Sequence, residues 1–130
     1  MMFAAVEAQI QPFSDRDNPK APIDREHLAR YTMNDQALER EILDLFSITL
    51  TQSLKTLTEA ENPTDWAMAA HTLKGSARAV GAWQLAALME DAEQMNIHRE
   101  MDQARRDLLI DIKVKAVETK NFIVKLEENV

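Results

Sequence analysis

The stretch AAHTLKGSARAVG, residues 69–81, sets His71 one helical turn before Gly75, with Lys74 and Arg78 close by, and it holds both glycines of a 130-residue chain. An imidazole beside two cations can carry a dianionic group. The cations attract the anion and disfavour imidazolium, which keeps a nucleophilic ring nitrogen free near neutral pH. A phosphoryl group is such a cargo. The glycine needs a separate reason, because in a helix interior it costs roughly 1 kcal/mol relative to alanine. A missing Cβ makes sense where something must come very close to the backbone. Here that something would be another protein's active site closing on the imidazole.

The helix that must carry these residues is legible around them. On a wheel of about 100° per residue, Trp66, Ala69, Ala70, Leu73, Ala77 and Val80 fall within a sector of roughly 80°, the expected buried stripe. His71 lies about 150° from its centre, and Gly75 stacks over His71 because residues four apart share a face. A lone histidine on a helix is ordinarily a solvated polar residue, and His27 and His98 receive that reading. For His71 it leaves the glycine unexplained, since an exposed position would more economically hold alanine, glutamate or lysine.

Composition bounds the architecture. The chain is 45% hydrophobic but only 5% aromatic, with two glycines and four prolines. Little punctuation remains for hairpins, and no stretch alternates with period two. One all-α domain is expected. A net charge of −7, from 22 acids against 15 bases, argues against a nucleic-acid partner, which requires a basic face. The absence of cysteine excludes disulfides and thiolate metal sites. No apolar run approaches the roughly 18 residues of a membrane span. The N-terminus MMFAAVEAQIQPF lacks a basic leader segment, so the cytoplasm is the expected compartment and no membrane partner is expected.

Along the chain, residues 1–22 form an N-terminal arm in which Pro12, Pro19 and Pro22 forbid a continuous helix. Residues 23–130 read as the bundle domain. Asp24 can cap a short helix carrying Leu28 and Tyr31. Asn34 or Asp35 opens a long helix with Leu38, Ile42, Leu45, Phe46, Thr49, Leu50, Leu54 and Leu57 at threes and fours. Pro63, with Asn62 and Thr64 as cap candidates, separates it from a helix over about 65–80, and Gly81 suits the left-handed position that ends it. A further helix spans 82 to about 95. The last, after Asn96, shows a stripe of Met101, Ala104, Leu108, Ile112, Thr119, Phe122, Ile123 and Leu126. The sum is an up-down antiparallel four-helix bundle with a short additional N-terminal helical segment.

HTLKGSARAVGA resembles the signature of histidine-containing phosphotransfer (HPt) domains, whose core is a histidine, any residue, an apolar residue, then Lys-Gly-Ser or Lys-Gly-Ala. IDREHLARYTMNDQALEREILDLFSITL looks like the family's leading helices, and LAALMEDAEQM like the helix that hairpins back beside the phosphorylated one. The likeness covers about residues 23–95. The final helix agrees only in pattern, and residues 1–22 have no counterpart. Where family members often have glycine before the aspartate that opens the long helix, this chain has Asn34-Asp35.

The resemblance implies that His71 accepts a phosphoryl group on Nε2 from a receiver-domain aspartate and passes it to another response-regulator receiver, within a relay fed by a (hybrid) sensor histidine kinase. Lys74 would steady the phosphoryl oxygens, Gly75 would give the receiver access, and Arg78 could add a polar contact. A glutamate or glutamine on the neighbouring helix often orients the ring in this family, and Glu93 matches that position ahead of Gln94 and Glu90. Met68, near Gly75 on the wheel, could contact a docked receiver or be a partly exposed methionine without consequence. Thr72 and Ser76 fall toward the bundle flank as structural residues.

No GxxxxGK[ST] run or kinase loop motif is present, so self-phosphorylation is not expected. No intrinsic cofactor or metal is expected either: the Mg²⁺ would belong to the receiver. Two rivals stand beside this reading. A non-phosphorylated adaptor bundle would typically lose the histidine or its lysine, and this chain keeps both. A di-metal bundle needs paired Glu-x-x-His motifs, where the chain offers the single Asp24-x-x-His27. A monomer is expected because one bundle can bury its own stripes, with residues 1–22, or Val114 and Val117, as the features that could support a dimer.

Overall fold

The computed structural model describes residues 21–95 and 103–128. Five helices follow one another there: α1 Arg25–Tyr31, α2 Gln36–Glu59, α3 Pro63–Val80, α4 Trp83–Gln94 and α5 Gln103–Glu128. Short polar side chains start the first three. Asp24 Oδ1 accepts the His27 N–H at 3.0 Å, Asp35 Oδ1 the Leu38 N–H at 3.0 Å, and Asn62 Oδ1 the Asp65 N–H at 2.9 Å. Each such cap satisfies an otherwise orphaned donor and is worth about 1 kcal/mol. Because Asn62 rather than Thr64 takes this role, with Pro63 in the first turn, α3 starts slightly earlier than the expected Asp65.

The corner between α3 and α4 is built on Gly81. Its φ of 82° is left-handed, the Gly81 N–H reaches Arg78 O at 3.3 Å and the Ala82 N–H reaches Ala77 O at 2.8 Å, the two closing bonds of a Schellman end. The segment before α1 lies against this corner. The Asp24 N–H donates to Gly81 O at 2.8 Å, and Trp83 Nε1 donates to Asp24 Oδ2 at 3.0 Å. A Cβ on Gly81 would stand 3.0 Å from both Asp24 Cβ and Asp24 O. Between α1 and α2, Asn34 takes a left-handed φ of 63°, as its type allows, and Met33 joins it at 54°.

α2, α3, α4 and α5 pack in a closed ring, each against the next, while α1 rests on α3. Short connections over 60–62 and 81–82 make α2, α3 and α4 successive antiparallel neighbours. The expected α3 stripe, Trp66, Ala69, Ala70, Leu73, Ala77 and Val80, is buried. Trp66 Nε1 donates to Ala92 O at 2.7 Å, and so buries a large ring without stranding its polar atom.

Several positions depart from the expected stripes. In α2, Leu43 is buried where Leu45 was expected and Leu45 is 59% exposed; Tyr31 is also exposed. In α5, Ala104 is exposed and Arg105 buried. Arg105 lays its guanidinium 4.7 Å from the Trp66 ring centroid and donates from Nη2 to Ala60 O at 2.6 Å. It thus closes the end of α2 with a charge-assisted bond while stacking on an aromatic face. Met101 lies outside the described residues. His27 is not the solvated histidine of the sequence reading. Its Nε2 lies 3.2 Å from Ala79 O and its ring meets Trp83 edge-on at 4.8 Å, so it pins α1 to the end of α3. His98 lies outside the described residues.

Candidate functional site

His71 projects from the middle of α3 with 71% of its side chain exposed. The short turn at Gly81 folds α4 back beside α3, and this brings residues distant in sequence under the ring. His71 Nδ1 lies 2.8 Å from Glu93 Oε2. Glu93 is held below its ordinary value of 4.5, first by its hydrogen bond from Lys74 and then by that from His71. It is therefore a carboxylate at neutral pH, able only to accept. The Nδ1 atom must carry the proton, and in the neutral ring the Nε2 lone pair is left free on the exposed side. Of the three acidic or amide candidates on α4, Glu93 faces the histidine. Gln94 instead donates to Glu90 Oε2 at 3.0 Å, and Glu90 meets Lys74 and Arg78.

Lys74 lies lower in the site than the sequence suggested. Only 12% of its side chain is exposed, and its Nζ lies 2.5 Å from Glu93 Oε1 and 3.0 Å from Glu90 Oε1. These bonds, Glu93's foremost, raise its pKa above 10.5, and Lys74 in turn lowers Glu90 below 4.5. Arg78 is half exposed, its Nη2 3.7 Å from Glu90 Oε1. The sequence reading counted two cations around the ring and missed that both Glu90 and Glu93 answer them. One carboxylate, Glu93, bridges the histidine on one oxygen and the lysine on the other. Its ring-facing oxygen, 2.8 Å from Nδ1, lies where it can offset positive charge on the imidazole.

Gly75 lies one turn beyond His71 within regular α3. A Cβ there would meet nothing within 4 Å, so among the described residues no contact asks for glycine. Met68 is 64% exposed on the same side and lines a shallow groove between α2 and α3 with Gln52, Thr56 and Thr72. Thr72 is exposed in that groove rather than packed on the flank, whereas Ser76 is half buried. The Asp24/His27 pair is occupied elsewhere: both carboxylate oxygens of Asp24 accept from the chain, and the His27 ring is held at Ala79 and Trp83. Among the described residues, no helix is long and apolar enough to cross a membrane.

The helical ring thus presents an exposed histidine whose ring is oriented by a carboxylate. The Hpt domain model matches residues 34–126, and the chain belongs to that family: it serves histidine phosphotransfer in phosphorelay signalling. Proteins of this family pair with receiver domains and histidine kinases. The crystal structure of histidine-containing phosphotransfer protein B (HptB) from Pseudomonas aeruginosa PAO1 is similar, with a TM-score of 0.74. The match covers 85% of this chain and 98% of that one at 18% identity, a likeness of fold. No curated protein matches the chain.

Proposed function

We propose that His71 is the phosphoacceptor. The observation that carries this reading is the ring itself: exposed, oriented through Nδ1 by Glu93, with the backbone at Gly75 left bare beside it. The Nε2 lone pair attacks the phosphorus of a receiver's aspartyl phosphate. The N–P bond forms as the P–O bond to the aspartate breaks, and the leaving carboxylate stays on the receiver. The proton stays on Nδ1, and Glu93 offsets the charge gained by the ring. Reversal against a second receiver's aspartate passes the group on. Such transfer rests on positioning and charge neutralisation. Lys74 and Arg78 supply positive charge near the phosphoryl oxygens, and Mg²⁺ comes with the receiver. With no ATP-binding motif in the sequence, the chain acts as an intermediate carrier rather than a kinase, in the cytoplasm with its receivers.

The test mixes the protein with a receiver charged from radiolabelled acetyl phosphate. Acid-labile, base-stable label should appear on the wild type and vanish in His71→Gln with helix content unchanged. Wild-type protein that binds the receiver but never takes label would identify an adaptor instead.

A further inference from the structure

The cations beside His71 are already in use. Lys74 Nζ lies 2.5 Å from Glu93 Oε1 and 3.0 Å from Glu90 Oε1. Arg78 Nη2 turns to the same Glu90 oxygen at 3.7 Å, and the other Glu90 oxygen is tied by the Gln94 amide at 3.0 Å. Among the described residues, two cations and two carboxylates thus leave the resting site without net charge. Lys74 is also seated at the wrong nitrogen for phosphate. It shares Glu93 with Nδ1, and only 12% of its side chain is exposed. A phosphoryl group on Nε2 stands on the solvent side of the ring with about two negative charges. To reach it, Nζ must rise and give up a carboxylate. The Glu93 contact is the shorter, and Glu93 is 23% exposed against 41% for Glu90, so the Glu90 contact is the one to open.

We propose that Glu90 is a positioning residue: it holds Lys74 and Arg78 away from His71 Nε2, and so biases the loaded histidine toward discharge onto a receiver. This rests on His71 being the phosphoacceptor. In the unloaded protein Glu90 keeps both cations ordered beside the ring. On loading, the phosphoryl oxygens and Glu90 compete for the same N–H donors. No proton moves in this exchange, because the hydrogen bond from Lys74 holds Glu90 below 4.5, a carboxylate throughout the neutral range. The competition acts on the loaded state alone. It therefore lowers the share of phosphate that His71 retains and leaves N–P bond formation to the ring, Glu93 and the receiver. A histidine that kept phosphate firmly would be an end point, whereas a relay must release it.

The equilibrium between a charged receiver and the full chain tests this, read as the ratio of label on the two proteins once transfer has stopped changing. Glu90→Gln should raise the ratio in favour of His71 by about three- to tenfold, the scale of one charge removed at this range, with helix content and melting temperature little changed. A merely structural role for Glu90 would leave the ratio alone or lower it. In a Lys74→Met/Arg78→Met background the same change should move the ratio by less than about twofold, because no cation is left for Glu90 to hold. A full gain in that background would show direct repulsion of the phosphoryl group and would overturn the proposal. An unchanged or lower ratio in Glu90→Gln, with wild-type His71 labelled, overturns it and leaves His71 as the acceptor. Absence of label from every variant, wild type included, overturns both readings.

Discussion

The two glycines of the chain stand at opposite ends of one question. Gly81 is accounted for inside the molecule: its φ is left-handed, and a Cβ would press to 3.0 Å on Asp24. Gly75 sits in ordinary helix with open space where its Cβ would be. The same residue type thus answers an internal demand at one site and none among the described residues at the other, six residues earlier within α3. The lesson is that a residue whose cost has no return within its own fold points outward, to what must approach it. At Gly75 the neighbour that the proposed function requires a partner to approach is His71.

The comparison can be broken at either glycine and at the groups between them. Gly81→Ala should give the largest loss of stability, about 2–4 kcal/mol, from the left-handed conformation and the crowding at Asp24 together. Denaturant unfolding reads it, and phosphotransfer per folded molecule should hold; an unchanged midpoint would remove the internal account of Gly81. Glu93→Ala should slow phosphotransfer by about 10- to 100-fold, the scale of a lost positioning contact, while the melting temperature shifts little. A rate equal to wild type would show that the ring needs no carboxylate behind it.

The smallest effect is the pH response of the ion-pair network. Lys74 holds Glu90 and Glu93 below 4.5, so their contribution to stability is complete above about pH 4.5 and is lost as pH falls through the lowered values. Lys74 sits above 10.5, so its contribution is complete below that pH and is lost as pH rises through the raised value. Solvent reaches these groups and screens them, which keeps the slope shallow. In the Glu90→Gln/Glu93→Gln double variant the acid limb of the stability curve should flatten. An unaltered acid limb would show that the carboxylates contribute nothing.

Much of this was legible before any coordinates, for identifiable reasons. Asp24, Asp35, Asn62 and Gly81 are local signals, each acting through bonds to residues within five positions of itself, and all four mark the helix ends they suggested. The α3 stripe was legible because small and large apolar residues there leave one face only. α2 was harder. Leu38, Leu45 and Ile48 give it a second apolar face, and periodicity alone cannot tell which face meets a neighbour. Arg105 was missed because charge argues for solvent until a Trp66 face and the Ala60 carbonyl are brought to it. His27 was missed likewise, since its partners Ala79 and Trp83 lie over fifty residues away. At the site, His71 and Gly75 were readable from spacing, and Glu93 from the family resemblance. The bridging of Lys74 and His71 by that one carboxylate depends on how α4 folds back on α3, a tertiary fact.

The most direct measurement is the single-turnover rate of phosphotransfer from a charged receiver to Gly75→Gln, taken with its melting temperature. A side chain over open backbone should leave the fold intact, or raise stability by up to about 1 kcal/mol. Transfer should fall on the order of 100-fold, as for a partner held about an ångström from its productive position. Wild-type transfer in a stable Gly75→Gln protein would contradict the claim that this glycine is there to let another active site reach His71.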